Sequence, residues 1–283
     1  MYNIGIVGLG LIGASMAKSV KKKSSAKVYG YDIDTSTTKY ALLSGIIDGE
    51  LNSETIGECD TIFVCLYPSA CVDYIRDNAE HFAKDSLVID CAGVKRSVCA
   101  PCFDIAEENG FHFVGGHPMA GTQYSGIKYA KDTMFHNACF VLVPKHAEDI
   151  EIIARARESV LGVGFSRVSV MTPERHDELI SYTSQLAHVV SNAYVKSPCA
   201  KSHKGISAGS YKDLTRVAYL NENMWTELFM DNKDNLIREI DCLVEHLTEY
   251  SQALQSGDKD KLRQLLLDGK IAKEMAEGEK SRN

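Results

Sequence analysis

The chain has no run of about 18 consecutive apolar residues, so no transmembrane helix is expected. It shows no basic segment followed by an apolar stretch and a cleavage site. Residues 1–13 open directly on a glycine-rich apolar run, and no secretory leader is expected. It has no excess of positive charge. The 283 residues carry a net charge of −7, which argues against a nucleic-acid or membrane-surface protein. There is no regular cysteine pattern either. Cys59, Cys65, Cys71, Cys91, Cys99, Cys102, Cys139, Cys199 and Cys242 are odd in number and unevenly spaced, as in reduced proteins, so a cytoplasmic location is expected. Cys99 and Cys102 form one C-A-P-C pair, but no second pair completes a zinc site, and the pair reads as packing. Internal repeats and low-complexity linkers are also missing. What remains is an ordinary globular composition, 45% hydrophobic and 24% charged, with length enough for one large or two medium domains.

The first half alternates short β-rich runs with helical patterns. The runs are NIGIVG (3–8), KVYGYD (27–32), TIFVCL (61–66), SLVIDC (86–91), FHFVGG (111–116), CFVLVP (139–144) and FSRVSVM (165–171). Strands alternating with helices predict βαβ units and a mostly parallel sheet. After residue 171 the character changes. Thr172 is a suitable N-cap with Pro173 at the first helical position. Residues 223–256 then carry apolar positions at three- and four-residue spacing over many turns, and 258–277 form one more helix. The expected class is α/β: a Rossmann-type dinucleotide-binding domain over 1–171 and an all-helical domain over 172–283.

GLGLIG (8–13) matches G-x-G-x-x-G and lies between a strand and a helix, the context that gives this motif its meaning. Gly8 permits the tight turn, Gly10 admits a pyrophosphate, and Gly13 allows close helix–strand packing. Leu11 and Ile12 open the helix, whose N–H groups and positive dipole end face the phosphates. Asp32 ends the second strand, where a carboxylate accepts hydrogen bonds from ribose hydroxyls and repels a 2′-phosphate. NAD is therefore the expected cofactor.

Hydride transfer from an alcohol also needs a group that takes the hydroxyl proton, and histidine titrates in the useful range. Of nine histidines, only His117, in VGGHPMAGTQYSG (114–126), follows a strand of the α/β domain and is expected in a glycine-rich loop. Arg216, in YKDLTRVA (211–218), is an arginine in apolar company. It needs an anionic partner, either a structural carboxylate or a substrate carboxylate.

GLGLIGAS, GGHPMAGTQYSG, TPERHDELISYTSQLAH and YKDLTRVAYLNENMW, in that order along the chain, resemble the prephenate dehydrogenase family, with its arogenate and cyclohexadienyl relatives. The resemblance implies NAD-dependent oxidative decarboxylation of prephenate to 4-hydroxyphenylpyruvate in tyrosine biosynthesis. It implies His117 as the catalytic histidine, Arg216 as the grip on a substrate carboxylate, and His188 and Trp225 as pocket residues. It also implies a homodimer formed through the helical domain. The reaction draws on aromatisation and loss of carbon dioxide and needs no metal.

The chain departs from the family pattern at several places. Gly93, in CAGVK on the cofactor side, stands where many members carry a serine that orients the histidine. Gln185 stands where a first pocket histidine is expected, and Ala187 replaces a proline. Ser207 and Ser210 replace glycines. Gln123 replaces an acidic residue of some members; a neutral side chain there gives no attraction for the ammonium of arogenate and favours prephenate. Two further readings stand beside this one: an arogenate dehydrogenase, and an NAD-binding paralogue with weak or no activity. A β-hydroxyacid dehydrogenase needs a lysine early in the helical domain, and residues 172–195 contain none.

Overall fold

The structure is a computed structural model that describes residues 2–122, 124–203 and 205–278. The first part runs β1 (Asn3–Val7), α1 (Leu11–Lys23), β2 (Lys27–Tyr31), α2 (Thr35–Leu43), β3 (Gly49–Glu50), β4 (Thr61–Val64), α3 (Pro68–Asp77), β5 (Leu87–Asp90), α4 (Arg96–Asn109), β6 (His112–Pro118), β7 (Cys139–Val143), α5 (Ile150–Val163) and β8 (Arg167–Val170). The helices that follow are α6 (Pro173–Ile180), a π-helical turn (Ser181–Leu186), α7 (Ala187–Tyr194), α8 (Gly209–Thr215), α9 (Glu222–Asp231), α10 (Lys233–Ser256) and α11 (Lys259–Glu277).

The eight strands form one sheet in the order β3-β2-β1-β4-β5-β6-β7-β8. β1 to β6 are mutually parallel, β7 runs antiparallel to β6, and β8 is parallel to β7. The central parallel strands β1, β4 and β5 are buried on both faces, which is why they read as continuous apolar runs rather than alternating ones. One core holds Ile6, Met16, Phe63, Ile89, Phe140 and Val160, under α1 and α5. The other holds Val64, Ile75, Val88, Val98, Phe113 and Val141, under α3 and α4. Cys99 and Cys102 belong to this second core. Burial pushes the Cys102 thiol up to about 12 and Cys99 well above its ordinary value, so both are neutral packing groups.

The chain divides into two compact units at Asn232–Lys233. The periodic stretch 223–256, expected as one helix, is therefore two. The break falls at Asn232, whose buried side chain hydrogen-bonds to the Asp177 carbonyl and to Gln185 Oε1. Ties of this kind hold α6 to α9 with the sheet. The backbone N–H and hydroxyl of Ser69 both donate to Glu227 at 2.7 Å, and the hydroxyl of Ser97 donates to Asp231 at 2.8 Å. Carboxylates of α9 thus meet the first turns of α3 and α4, where helix N–H groups lack partners. Among the described residues no helix is long and apolar enough to cross a membrane.

Candidate active site

Gly8, Gly10, Gly13, Asp32, Gly93 and His117 lie at the carboxyl edge of the parallel strands, where ligands of open α/β sheets bind. Gly8 follows β1 with φ +84°, and a Cβ there would stand 2.5 Å from the Cys65 carbonyl oxygen. A Cβ on Gly13 would stand 1.9 Å from the Gly8 carbonyl oxygen, so α1 can approach its strand only through glycine. Gly10 is the opposite case. A Cβ there would meet nothing within 4 Å, and it would project into the space in front of α1. Gly10 caps α1 without a side-chain hydrogen bond, which leaves the N–H groups of the first turn free for phosphate oxygens. Leu11 and Ile12 are the first two residues of that turn. The cradle fits a pyrophosphate.

Asp32 does two jobs after β2. Its carboxylate accepts the Leu9 N–H at 2.8 Å and the Asp34 N–H at 2.9 Å, so it braces the glycine loop from behind. A carboxylate offers about four acceptor sites. Two are used within the chain, and the others are available to a ribose diol.

His117 is not in a loop. It is the penultimate residue of β6, paired with Val141 of β7. The antiparallel partner extends the strand by two residues beyond the apolar run, to Pro118, an extension that hydropathy alone does not reveal. The glycines before it serve close packing rather than a turn. A Cβ on Gly116 would lie 2.3 Å from the Asp90 carbonyl oxygen, and one on Gly115 would lie 2.4 Å from Cys99 Sγ.

The imidazole of His117 belongs to a chain of hydrogen bonds that no motif in the sequence announces. Its Nδ1 lies 2.8 Å from Nε2 of His176, and Nδ1 of His176 lies 2.7 Å from Oδ1 of Asp177. His176 and Asp177 sit on α6 and are buried. Asp177 accepts the backbone N–H groups of Lys95 and Arg96 at 2.8 and 2.9 Å, and the Arg96 guanidinium at 3.3 Å. Lys95 is fully buried. It pairs with Asp90 and donates to the Gly116 carbonyl at 2.6 Å, which fixes the backbone beside His117.

Burial drives the electrostatics. It lowers the His117 pKa well below the ordinary value of 6.5, and the neighbouring charges of His176 and Lys95 lower it further. Burial also lowers His176, although Asp177 opposes the shift. For Asp177, burial works against the carboxylate, but the bonds from His176 and from the Arg96 and Lys95 backbones outweigh it and the pKa falls. Burial likewise works against the Lys95 ammonium, and Asp90 more than offsets it. His117 therefore rests as a neutral imidazole, able to accept a proton.

A second group gathers in the helices. His188 of α7 packs at a tilt against Trp225 of α9, with ring centroids 3.8 Å apart, and its Nδ1 bonds the Ser184 carbonyl at 2.9 Å. Burial lowers the His188 pKa, and the charge of Arg216 lowers it further. Arg216, at the end of α8, is exposed and makes no hydrogen bond or ion pair among the described residues. A cleft of about 300 Å³ is lined by His188, Asn192, Lys196, Leu220, Trp225 and Phe229, among others. No hydrogen bond or ring contact joins this group to His117 among the described residues. Gln123 lies outside the described residues.

Two departures from the family pattern acquire a physical meaning. Gln185 is a buried brace: its amide donates to the Leu228 carbonyl at 3.0 Å and accepts from Asn232 at 2.9 Å. It lies in the π-helical turn, not in the cleft. At Gly93, a Cβ would come within 3.1 Å of the Leu228 side chain, so Leu228 of α9 packs where a larger residue would extend.

A sheet edge that takes a dinucleotide beside a neutral imidazole defines a class, the nicotinamide-dependent oxidoreductases. The comparisons narrow it. A family profile described as "Prephenate dehydrogenase, nucleotide-binding domain" matches residues 16–169, and one described as "Prephenate dehydrogenase, dimerization domain" matches 172–268. A prephenate dehydrogenase of Bacillus subtilis is 28% identical over 265 residues, covering 91% of this chain and 71% of that protein. A prephenate dehydrogenase from A. aeolicus, solved with hydroxyphenyl propionate and NAD+, superposes with a TM-score of 0.82 at 29% identity over 98% of each chain. A Synechocystis arogenate dehydrogenase superposes with a TM-score of 0.81 at 26% identity, over 97% of this chain and 99% of that one. The chain belongs to the prephenate dehydrogenase family, and it is an NAD-dependent oxidoreductase.

Proposed function

We propose that this chain oxidises prephenate with NAD, releasing carbon dioxide and 4-hydroxyphenylpyruvate, with residues 1–171 binding the cofactor and 172–283 serving substrate binding and dimerisation. The observation that carries the assignment of roles is the neutral, strand-held His117 at the same sheet edge as the glycine cradle. NAD, when bound, accepts the hydride. His117 accepts the hydroxyl proton as the hydride leaves the ring carbon, which brings that carbon to the carbonyl level; the electron pair released with carbon dioxide then aromatises the ring, and the oxygen takes a proton back to give the phenol. Gly8, Gly10, Leu11, Ile12 and Gly13 receive the pyrophosphate, Asp32 the ribose, and Gly93 flanks the nicotinamide end. Arg216, with no partner of its own among the described residues, grips a substrate carboxylate. His188 and Trp225 line the ring pocket. Gln123 is neutral and offers the ammonium of arogenate no charge attraction, which favours prephenate. Holding the substrate against the cofactor can contribute roughly 7–11 kcal/mol of barrier reduction, and a positioned base a further 10²–10⁴-fold or so.

Two broader features follow. Ile237, Val244, Leu247 and Leu254 of α10 are each more than half exposed and recur at seven- and three-residue spacing, as on a helix that meets another. This stripe supports a homodimer through the helical part. Nine free cysteines support a reducing, cytoplasmic setting.

The assay is NADH formation from prephenate and from arogenate, each with NAD and NADP. The reading requires turnover of prephenate with NAD to exceed the other three combinations. Faster turnover of arogenate would reassign the substrate, and NAD binding without turnover of either would leave a nucleotide-binding paralogue.

A further inference from the structure

We propose that His176, held by Asp177, is the positioning residue that sets the tautomer of His117. The inference rests on the reading of His117 as the base. An imidazole base is useful only if the lone pair facing the substrate is free, and in a neutral ring this means that the other nitrogen carries the proton. The three side chains fix which nitrogen that is. The Asp177 carboxylate can only accept, so the proton of His176 resides on Nδ1, 2.7 Å away. Nε2 of His176 is then a bare lone pair, and it lies 2.8 Å from Nδ1 of His117. Nδ1 of His117 must therefore donate. Its Nε2 is left unprotonated and takes the hydroxyl proton of the substrate. The imidazolium formed keeps both protons, and its charge is stabilised through His176 toward Asp177.

The anchoring supports this order. Asp177 is locked by the backbone N–H groups of Lys95 and Arg96, so its carboxylate cannot turn away from His176. The charged and titratable groups facing the pair are Asp177 on α6 itself, Lys95 and Arg96 at the start of α4, and Asp90 at the end of β5. Lys95 is matched by Asp90, and Asp177 by Arg96, which leaves the two imidazoles as the neutral members of a balanced cluster. Position 93 offers no hydroxyl, being glycine packed on Leu228. The orientation of His117 comes instead from His176 on α6.

Two measurements test the assignment. In the NAD-loaded protein, nitrogen-15 histidine spectra should show both His117 and His176 as Nδ1–H tautomers. A neutral His117 protonated at Nε2 would overturn the proposal. The second measurement compares His176→Leu, which has no acceptor, with His176→Gln, whose amide oxygen can accept from His117. In a serine-protease triad, losing the group that fixes the tautomer lowers kcat by about 10⁴; His176→Leu should lower kcat for prephenate by roughly 10²–10⁴-fold with KM little changed, and His176→Gln should recover part of it. A folded His176→Leu protein with wild-type kcat sinks the idea. Should that variant fail to fold, the tautomer spectrum of the unaltered chain still decides. That spectrum does not depend on turnover, so a chain that oxidises no prephenate would defeat the proposed function and leave this inference to be judged on its own.

Discussion

The two clusters of this molecule are built in opposite ways. Around His117, the side chains of Asp90, Lys95, His176 and Asp177 are buried, and each has a charged or hydrogen-bonded partner at short range. Around Arg216, the guanidinium is exposed and unpaired among the described residues, and His188 leans on Trp225 over an open cleft. The first cluster is preorganised: its geometry is complete before any ligand arrives. The second is an unsatisfied set, and the proposed function gives it the substrate as its partner. A site that aligns one proton and one hydride needs the first kind. A site that captures an anion from water needs the second, because a guanidinium already paired would have to break that pair first.

If the first cluster is structurally committed, breaking it should damage the fold as well as the rate. Lys95→Met strands Asp90 as a buried, uncompensated charge. The expected loss is about 3–5 kcal/mol, or roughly ten degrees in Tm by thermal denaturation. A Tm within a degree or two of wild type would show the pair to be dispensable. Adding Asp90→Leu to Lys95→Met should restore much of the stability while leaving the His117 backbone less well held.

The second cluster should respond in the opposite sense. Arg216→Ala removes a charge-assisted hydrogen bond to the substrate worth about 1.5–3 kcal/mol, so KM for prephenate should rise roughly 10- to 100-fold while Tm stays put. An unchanged KM would remove Arg216 from the substrate site.

Acid titration separates the clusters less sharply. His117, His176 and His188 all have folded pKa values lowered by burial. Below the ordinary value of 6.5 the unfolded chain takes up protons that the folded chain refuses, so stability should be full above that pH and fall as the pH drops below it. Denaturant titrations at about pH 7.5 and about pH 5.5 would show the decline. A stability independent of pH over that range would mean that these rings are solvated.

The smallest effect is expected at Gly93. Gly93→Ser obliges the Leu228 side chain to yield by a few tenths of an ångström, costing about 1 kcal/mol. Because His117 takes its orientation from His176, kcat should barely move. A large gain in kcat would mean that His117 in the native chain is poorly oriented.

How far the sequence discloses all this depends on the kind of constraint. The glycine cradle and Asp32 are legible because backbone geometry restricts each position to one residue type, at fixed spacing, between a strand and a helix. The glycines at 115 and 116 announce a special place for His117, but their reason, the approach of Cys99 and of the Asp90 carbonyl, is tertiary. His176 and Asp177 pass unnoticed. A His-Asp dipeptide in a short, mostly polar helix looks solvent-facing, and nothing local says that α6 packs against the start of α4. Lys95 carried a faint signal, a lone lysine in the apolar company of Ala92 and Val94. Gln185 invites a reading as a lost pocket histidine because sequence order cannot show that a π-helical turn directs it toward Leu228 and Asn232. The antiparallel turn from β6 into β7 is likewise invisible to hydropathy, since both strands are buried either way.

The central claim is that His117 is the base of an NAD-dependent oxidation of prephenate. The most direct measurement is the turnover of His117→Asn with saturating NAD and prephenate. Turnover should fall by at least about 10²-fold while NAD affinity and Tm stay close to native, because the Asn amide can still donate to Nε2 of His176 and keep the cluster intact. Near-native turnover in that variant would contradict the account.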